Sequence, residues 1–183
     1  MSATVPTVLI FGHSFVKRMQ HELLSQFGSA SVYLHGVSGR TVAKLRSFDL
    51  HLVEQIAPEV VILEIGTNDL VTTGPEVVGS NIESLVRLLL DGYFVRVVGV
   101  CHVIPRGVSH IDSSRFAQRV EILKQYLSVV LESLPNVFCW LHKAFSHPAK
   151  DLYLADGVLV HQAGQYQLYR SYRGAIFQAL KML

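Results

Sequence analysis

Ser14, Gly39, Asn68, Asp156 and His161 are the residues of this chain whose types could cooperate in one reaction. Cleaving an ester takes a nucleophile, a base for its proton, an acid to orient that base, and donors for the oxyanion. Ser14 offers a hydroxyl. Its own N–H, a Gly39 N–H from a glycine-bearing loop and the Asn68 amide could converge on an oxyanion. A neutral amide suits that task, because its bond strengthens as negative charge develops. Asp156 and His161 could supply the acid and the base. A serine at this point also has a plain reading as a helix N-cap. No Gly-x-Ser-x-Gly elbow surrounds Ser14, which argues against the α/β-hydrolase arrangement.

These residues need elements that bring them together. Val8–Phe11 is a short apolar run without helical period, broken by Gly12, and Phe15–Phe27 then resumes with helical spacing up to Gly28. Strand, tight turn and helix put Ser14 at the C-terminal edge of a central strand and at a helix N-terminus, where exposed N–H groups favour negative charge. Ser31–His35 reads as a second strand, followed by the Gly36-Val37-Ser38-Gly39-Arg40 loop and short helices at Thr41–Phe48 and Leu50–Ile56. Val60–Ile65, β-branched and apolar on both faces, reads as the central strand and runs into Gly66-Thr67-Asn68-Asp69. Pro75–Leu90 is a helix with proline in its first turn, Phe94–Cys101 a strand, and Ser113–Leu134 a long helix with Asp112 as N-cap. Asn136–Trp140 is the last strand, and Gln165–Leu180 a closing helix. Strands alternating with helices give a parallel sheet covered on both sides. The expected fold is therefore α/β: a three-layer α/β/α arrangement on a five-stranded parallel sheet of flavodoxin-like order 2-1-3-4-5. Ser14 and Asn68 would then end adjacent strands.

Composition narrows the function classes. The chain has 183 residues, half of them apolar, and reads as one domain over 1–183. A formal charge of +2 is spread along the chain and gathers into no run, so this domain alone gives no reason to expect nucleic acid. Cys101 and Cys139 lie in apolar strand-like runs and read as reduced thiols, which suits a cytoplasmic, intracellular protein. Val5–Phe11 lacks a basic flank and a cleavage site, and reads as a core strand and not as a signal peptide. Leu85–Ile104 is interrupted by Arg87, Asp91 and Arg96, so no transmembrane segment is expected.

At these blocks the chain resembles the SGNH (GDSL-like) hydrolase family. The family pattern is Gly-Asp-Ser after the first strand, a Gly after the second, Gly-x-Asn-Asp after the third, and Asp-x-x-His before the last helix. Here the blocks are Gly12-His13-Ser14, Gly36-Val37-Ser38-Gly39, Gly66-Thr67-Asn68-Asp69 and Asp156-Gly157-Val158-Leu159-Val160-His161. The resemblance implies a carboxylic ester hydrolase, esterase- or lipase-like, working through an acyl-enzyme on Ser14. It makes Gly39 and Asn68 the other oxyanion donors and Asp156 the residue that orients the histidine. It requires no metal and no organic cofactor, and its partner is a small-molecule or lipid ester. The ending Gly164-Gln165-Tyr166 and Leu168-Tyr169-Arg170-Ser171-Tyr172-Arg173-Gly174-Ala175 is also similar to the esterase modules in the first reading frame of some animal non-LTR retrotransposons. That likeness implies RNA- or membrane-linked biology contributed by other modules.

Two departures stand out. His13 replaces the aspartate before the nucleophile, and Leu159 stands where the family histidine belongs, three residues after Asp156. In an extended turn, positions 159 and 161 point to the same side and His161 could reach Ser14. In a helix, the two-residue shift turns His161 away by about 200°. The alternative reading is therefore a catalytically impaired relative, a pseudo-enzyme or binding module of a retroelement protein. A third reading takes the Gly36–Gly39 loop as a phosphate or nucleotide cradle, for which its glycine spacing is too short.

Other chemistry-bearing residues have plainer readings. The nine histidines lack Cys or Asp partners at ligand spacing, so His142, His147 and His110 read as surface or turn residues and not as metal ligands. His102 lines the pocket or simply ends a strand. Glu64 reads as a hydrogen-bonded structural carboxylate in the core. Asp69 reads as the residue that holds the Asn68 turn. Arg106, Arg115 and Arg173 read singly as solvated cations.

Overall fold

Val60–Glu64 forms β3, and each of its residues is buried. The structure, a computed structural model, describes residues 5–19, 29–107, 112–146 and 152–183. β1 (Thr7–Gly12) and β4 (Val97–Cys101) flank β3, with β2 (Ser31–Gly36) beyond β1 and β5 (Val137–Trp140) beyond β4. Every pairing is parallel, and the strand order is 2-1-3-4-5.

Strand alternation sorts the core into two halves. Leu9, Phe11, Val61, Leu63, Val98 and Val100 face one side. They pack against Leu45 of α2 (Val42–Phe48), Val53 of α3 (His51–Ile56), Ile82 of α4 (Pro75–Arg87) and Leu123 of α5 (Ser113–Glu132). Val8, Ile10, Val60, Ile62 and Val97 face the other side. There they meet Phe15 and Val16 of α1 (Ser14–Met19) and Leu168, Tyr172 and Ile176 of α6 (Gln162–Leu180). Helices on both faces of one sheet make the three-layer α/β/α architecture. Each fully buried aliphatic side chain contributes about 1.5–3 kcal/mol before chain entropy is counted.

Some boundaries move, for physical reasons. β4 begins at Val97 and not at Phe94, which is 82% exposed with φ of 56°. The chain reverses there, after α4 runs into one π turn at Leu88–Gly92. α6 starts at Gln162, three residues ahead of the expected Gln165, because His161 caps it. Asp112 holds the N-cap position of α5 without a side-chain capping bond. The expected continuation of α1 to Phe27 and Gly28, and the loop positions His110 and His147, lie outside the described residues. Among the described residues, no helix is long and apolar enough to cross a membrane.

Candidate active site

The sheet ends in a row of close approaches. Gly12 pairs with Gly36 of β2 on one side and with Glu64 of β3 on the other. A Cβ on Gly12 would stand 2.2 Å from the Glu64 carbonyl oxygen, and one on Gly36 would stand 2.1 Å from the Lys17 nitrogen. Neither backbone atom can yield, so glycine is required for α1 to sit directly on the sheet edge. The His13 N–H donates to the Glu64 carbonyl (3.2 Å), and the Lys17 N–H donates to the His13 carbonyl (3.1 Å). Ser14 is thereby fixed as the first residue of α1, half-buried.

Two hydrogen bonds draw the loops after β2 and β3 together. The Asn68 amide donates to the Arg40 carbonyl (2.9 Å). The Val42 N–H donates to both oxygens of the buried Asp69 carboxylate (3.1 and 3.3 Å). Asp69 thus ties the Asn68 turn to α2, a longer-range link than the local turn bonds expected of it. Burial pushes the Asp69 carboxyl up, and the Val42 N–H opposes that rise. Arg40 is itself clamped by Asp49 through two bonds of 2.6 and 2.7 Å. Gly39, between these anchors, has φ of 71° and open space where a side chain would lie. An amide carries two N–H donors, so Asn68 can hold the Gly39 loop with one and offer the second elsewhere.

Asp156 and His161 are held differently. Asp156 is exposed, and its Oδ1 accepts the N–H groups of Val158 (2.9 Å) and Leu159 (3.0 Å), closing its own turn. His161 is extended, with φ −81° and ψ −174°, and its Nδ1 accepts the Ala163 N–H (3.1 Å). Val160 is buried, while Leu159 and His161 on either side are half-buried. That alternation is the extended geometry in which positions 159 and 161 share a side. The Arg18 guanidinium of α1 donates to the Val160 carbonyl (3.1 Å), which brings this segment against the helix that Ser14 begins. An Nδ1 that accepts a bond leaves the proton of a neutral imidazole on Nε2. A serine base needs the opposite tautomer, with Nδ1–H facing the acid.

A buried polar network lies beneath the Gly12–Ser14 turn, and the sequence reading missed most of it. Glu64 Oε2 accepts from His142 Nε2 (2.7 Å) and from the Tyr172 hydroxyl (2.9 Å). His142 is 2% exposed, contrary to its expected surface position. A carboxylate only accepts, so His142 carries its proton on Nε2, and Nδ1 is left to accept the Ser171 hydroxyl (2.8 Å). The Trp140 indole N–H donates to the same Ser171 oxygen (2.9 Å). His13 Nε2 sits 3.6 Å from Glu64 Oε1, while its Nδ1 faces the Phe15 N–H at 3.4 Å. Burial alone would raise the Glu64 carboxyl. The charge His142 can carry and the His13 and His142 imidazoles outweigh it, holding Glu64 well below the usual carboxylate range. One signal was legible: Glu64 is an acid inside an otherwise apolar strand.

Glu64, Cys101 and His142 place an oxygen, a sulfur and a nitrogen within 4.8 Å of one another. The trio does not suit a metal. Both His142 nitrogens and Glu64 Oε2 already have hydrogen-bond partners, and burial, with Glu64 beside it, pushes the Cys101 thiol up. His102 ends β4 at the same sheet edge, 8% exposed, and burial holds it down at about 4, with Lys124 and His142 acting in the same direction.

Residues 9–165 match the family described as GDSL-like lipase/acylhydrolase. The chain is 30% identical over 138 residues to platelet-activating factor acetylhydrolase IB subunit alpha2 of Gallus gallus, covering 72% of this chain and 57% of that one. It thus spans little more than half the length of this curated relative. In structure it is similar to a GDSL-like lipase from Bacteroides thetaiotaomicron, with a TM-score of 0.75, 17% identity, and coverage of 94% and 88%. It is also similar to a catalytic mutant of Axe2, an acetylxylan esterase from Geobacillus stearothermophilus, with a TM-score of 0.70, 18% identity and 94% of both chains covered. At such identities these two structures bear on the fold alone.

Proposed function

The chain belongs to the GDSL-like lipase/acylhydrolase family, and from that premise we propose that it hydrolyses carboxylic esters through an acyl-enzyme on Ser14. The observation that carries this reading is the pair of bonds, Asn68 to Arg40 and Val42 to Asp69, that gathers the Gly39 loop and the Asn68 turn at the sheet edge where Ser14 begins α1. Ser14 Oγ attacks the ester carbonyl and passes its proton to His161 Nε2. The oxyanion takes bonds from the Ser14 N–H, the Gly39 N–H and the second Asn68 N–H. The alkoxide leaves with the proton from His161, and water then releases the acid from Ser14.

His161 reaches that state by giving up its bond to the Ala163 N–H, so that Nδ1 carries a proton toward Asp156. Asp156 must likewise turn an oxygen away from the Val158 and Leu159 N–H groups, or use its second oxygen. Both rearrangements oppose catalysis, so the native protein is a weak esterase. The substrate is a small-molecule or lipid ester, and the free thiols of Cys101 and Cys139 support an intracellular place of action. The likeness of the α6 sequence to retrotransposon esterase modules supports an origin in such an element.

Hydrolysis of p-nitrophenyl acetate by the native protein and by Ser14→Ala tests the reading. The variant is expected to lose at least about a thousandfold in rate with Tm nearly unchanged. Undiminished hydrolysis by folded Ser14→Ala would remove Ser14 from the mechanism. No turnover by the native protein would return it to the class of binding modules.

A further inference from the structure

Glu64 stands between the two halves of the proposed site. It ends β3, pairs with Gly12 of β1, and turns its carboxylate toward Tyr172 of α6. On one flank is His13, the residue before Ser14. The Phe15 N–H donates to His13 Nδ1 (3.4 Å), which puts the proton of the neutral ring on Nε2, 3.6 Å from Glu64 Oε1. On the other flank Tyr172 and His142 donate to Oε2, at 2.9 and 2.7 Å, and their two rings meet edge-on. Tyr172 lies about 16 Å along α6 from its cap His161. Tyr172, Glu64 and His13 thus run from the helix that His161 caps to the residue before Ser14.

The two flanks differ in tightness. Oε2 is closed by two bonds. Oε1 and His13 Nε2 are both buried, and among the described residues neither has a hydrogen-bond partner. They face each other, and a movement of about 0.5 Å at the Ser14 turn would make the contact a charge-assisted bond. Bonds of this kind are often long in a free enzyme and tighten in the Michaelis complex. Apolar packing holds α6 on the sheet but is non-directional, whereas bonds to a fixed carboxylate also set its height and rotation.

We propose that Glu64 is a positioning residue that joins the Ser14 turn to α6 through His13 and Tyr172, a role that rests on the ester hydrolysis proposed above. His13 is then the partner that Glu64 requires, which accounts for the departure from the Gly-Asp-Ser pattern. An aspartate at position 13 would set a second carboxylate against Glu64, and like charges in a buried site repel.

The test is a double-mutant cycle on p-nitrophenyl acetate, with kcat counted per serine titrated by a fluorophosphonate so that unfolded protein does not enter. His13→Asp should lower kcat about a hundredfold. Glu64→Gln should lower it about tenfold, because an amide turns N–H groups toward one of the donors. In the double variant that amide can donate to the new carboxylate, and kcat should return to within about tenfold of native. Tyr172→Phe keeps the ring and should lower kcat about fivefold with KM unchanged, which keeps the proposal testable if the Glu64 variants do not fold. Effects of His13→Asp and Glu64→Gln that simply multiply overturn the proposal, and so does a loss confined to Tm or to KM. If the native protein does not turn the ester over, the hydrolase reading fails, and nitrogen-15 NMR of the histidine rings decides the joint separately. The His13 signals should report a proton on Nε2 and should shift in Tyr172→Phe, although that hydroxyl bonds Glu64 and not His13. His13 signals that ignore Tyr172→Phe overturn the joint as well.

Discussion

The Asn68 and Asp69 side chains bind partners far away in the sequence, whereas the Asp156 and His161 side chains bind the N–H groups of the turn and helix they begin. Asn68 reaches 28 positions back to Arg40, and Asp69 reaches 27 back to Val42. Gly12, two residues before Ser14, is pressed against Glu64. The Asp156 carboxylate accepts the N–H groups of Val158 and Leu159, and the His161 ring accepts that of Ala163. A long-range contact in a packed sheet cannot shift without disturbing two strands. A turn closed on itself can gain or lose residues at small cost. The spacing of the family pattern is kept at the Gly12, Gly36 and Gly66 blocks, while Leu159 stands where that pattern has its histidine and His161 follows two residues later.

The largest effect should come from breaking the long-range side at its tightest point. In Gly36→Ala the new methyl meets backbone at 2.1 Å, and loss of more than about 4 kcal/mol is expected, enough to leave little folded protein. Gly39→Ala, facing open space, should cost only about 1–2 kcal/mol through its positive φ. Thermal melts of the two variants check this, and equal losses would mean that contact at the sheet edge is not what fixes the turn.

Asn68→Ala comes next. It removes the proposed oxyanion donor and also the bond that holds the Gly39 loop, so kcat should fall by roughly a hundredfold, about 2.7 kcal/mol. A change confined to KM would show that Asn68 binds substrate without favouring the transition state.

Acid should loosen the same side. His102 is buried at the sheet edge with its pKa lowered to about 4, against an ordinary value of 6.5. Between those values the unfolded chain takes up a proton that the native state refuses, so stability falls as pH drops from 6.5 toward 4, on the order of 2 kcal/mol. Glu64 is shifted below its ordinary 4.5, so its contribution is intact above that pH and is lost only in stronger acid. Tm measured across pH 7 to 4 should slope downward, and His102→Gln should flatten that slope. An unchanged slope would assign the acid sensitivity to other groups.

The smallest effect probes the locally held side. Leu159→His restores the family interval to Asp156 and should raise the rate on p-nitrophenyl acetate about tenfold, some 1.4 kcal/mol. His161→Ala measures what the native histidine contributes. If His161→Ala loses activity and Leu159→His gains none, His161 is already a competent base and its cap does not hold it back.

The sequence by itself determined the sheet and one side of the site. Apolar runs without helical period suit strands covered on both faces, and their alternation with helices fits the parallel order 2-1-3-4-5 that the structure has. Gly12, Gly36, Gly66 and Asn68 mark strand ends that need close approach or a tight turn, and such needs are visible as residue type. Tertiary structure alone decided what a spacing cannot carry. Periodicity says nothing of partners, so His142 reads as a loop residue, although folding buries it between Glu64 and Ser171. Arg106 and Arg115 read as separate cations in the sequence, although the fold brings them to one cavity beside the Asn68 turn. His161 could be a base or a cap on sequence grounds. Its Nδ1 went to the Ala163 N–H because the first N–H groups of α6 need an acceptor, and the nearest one is two residues away.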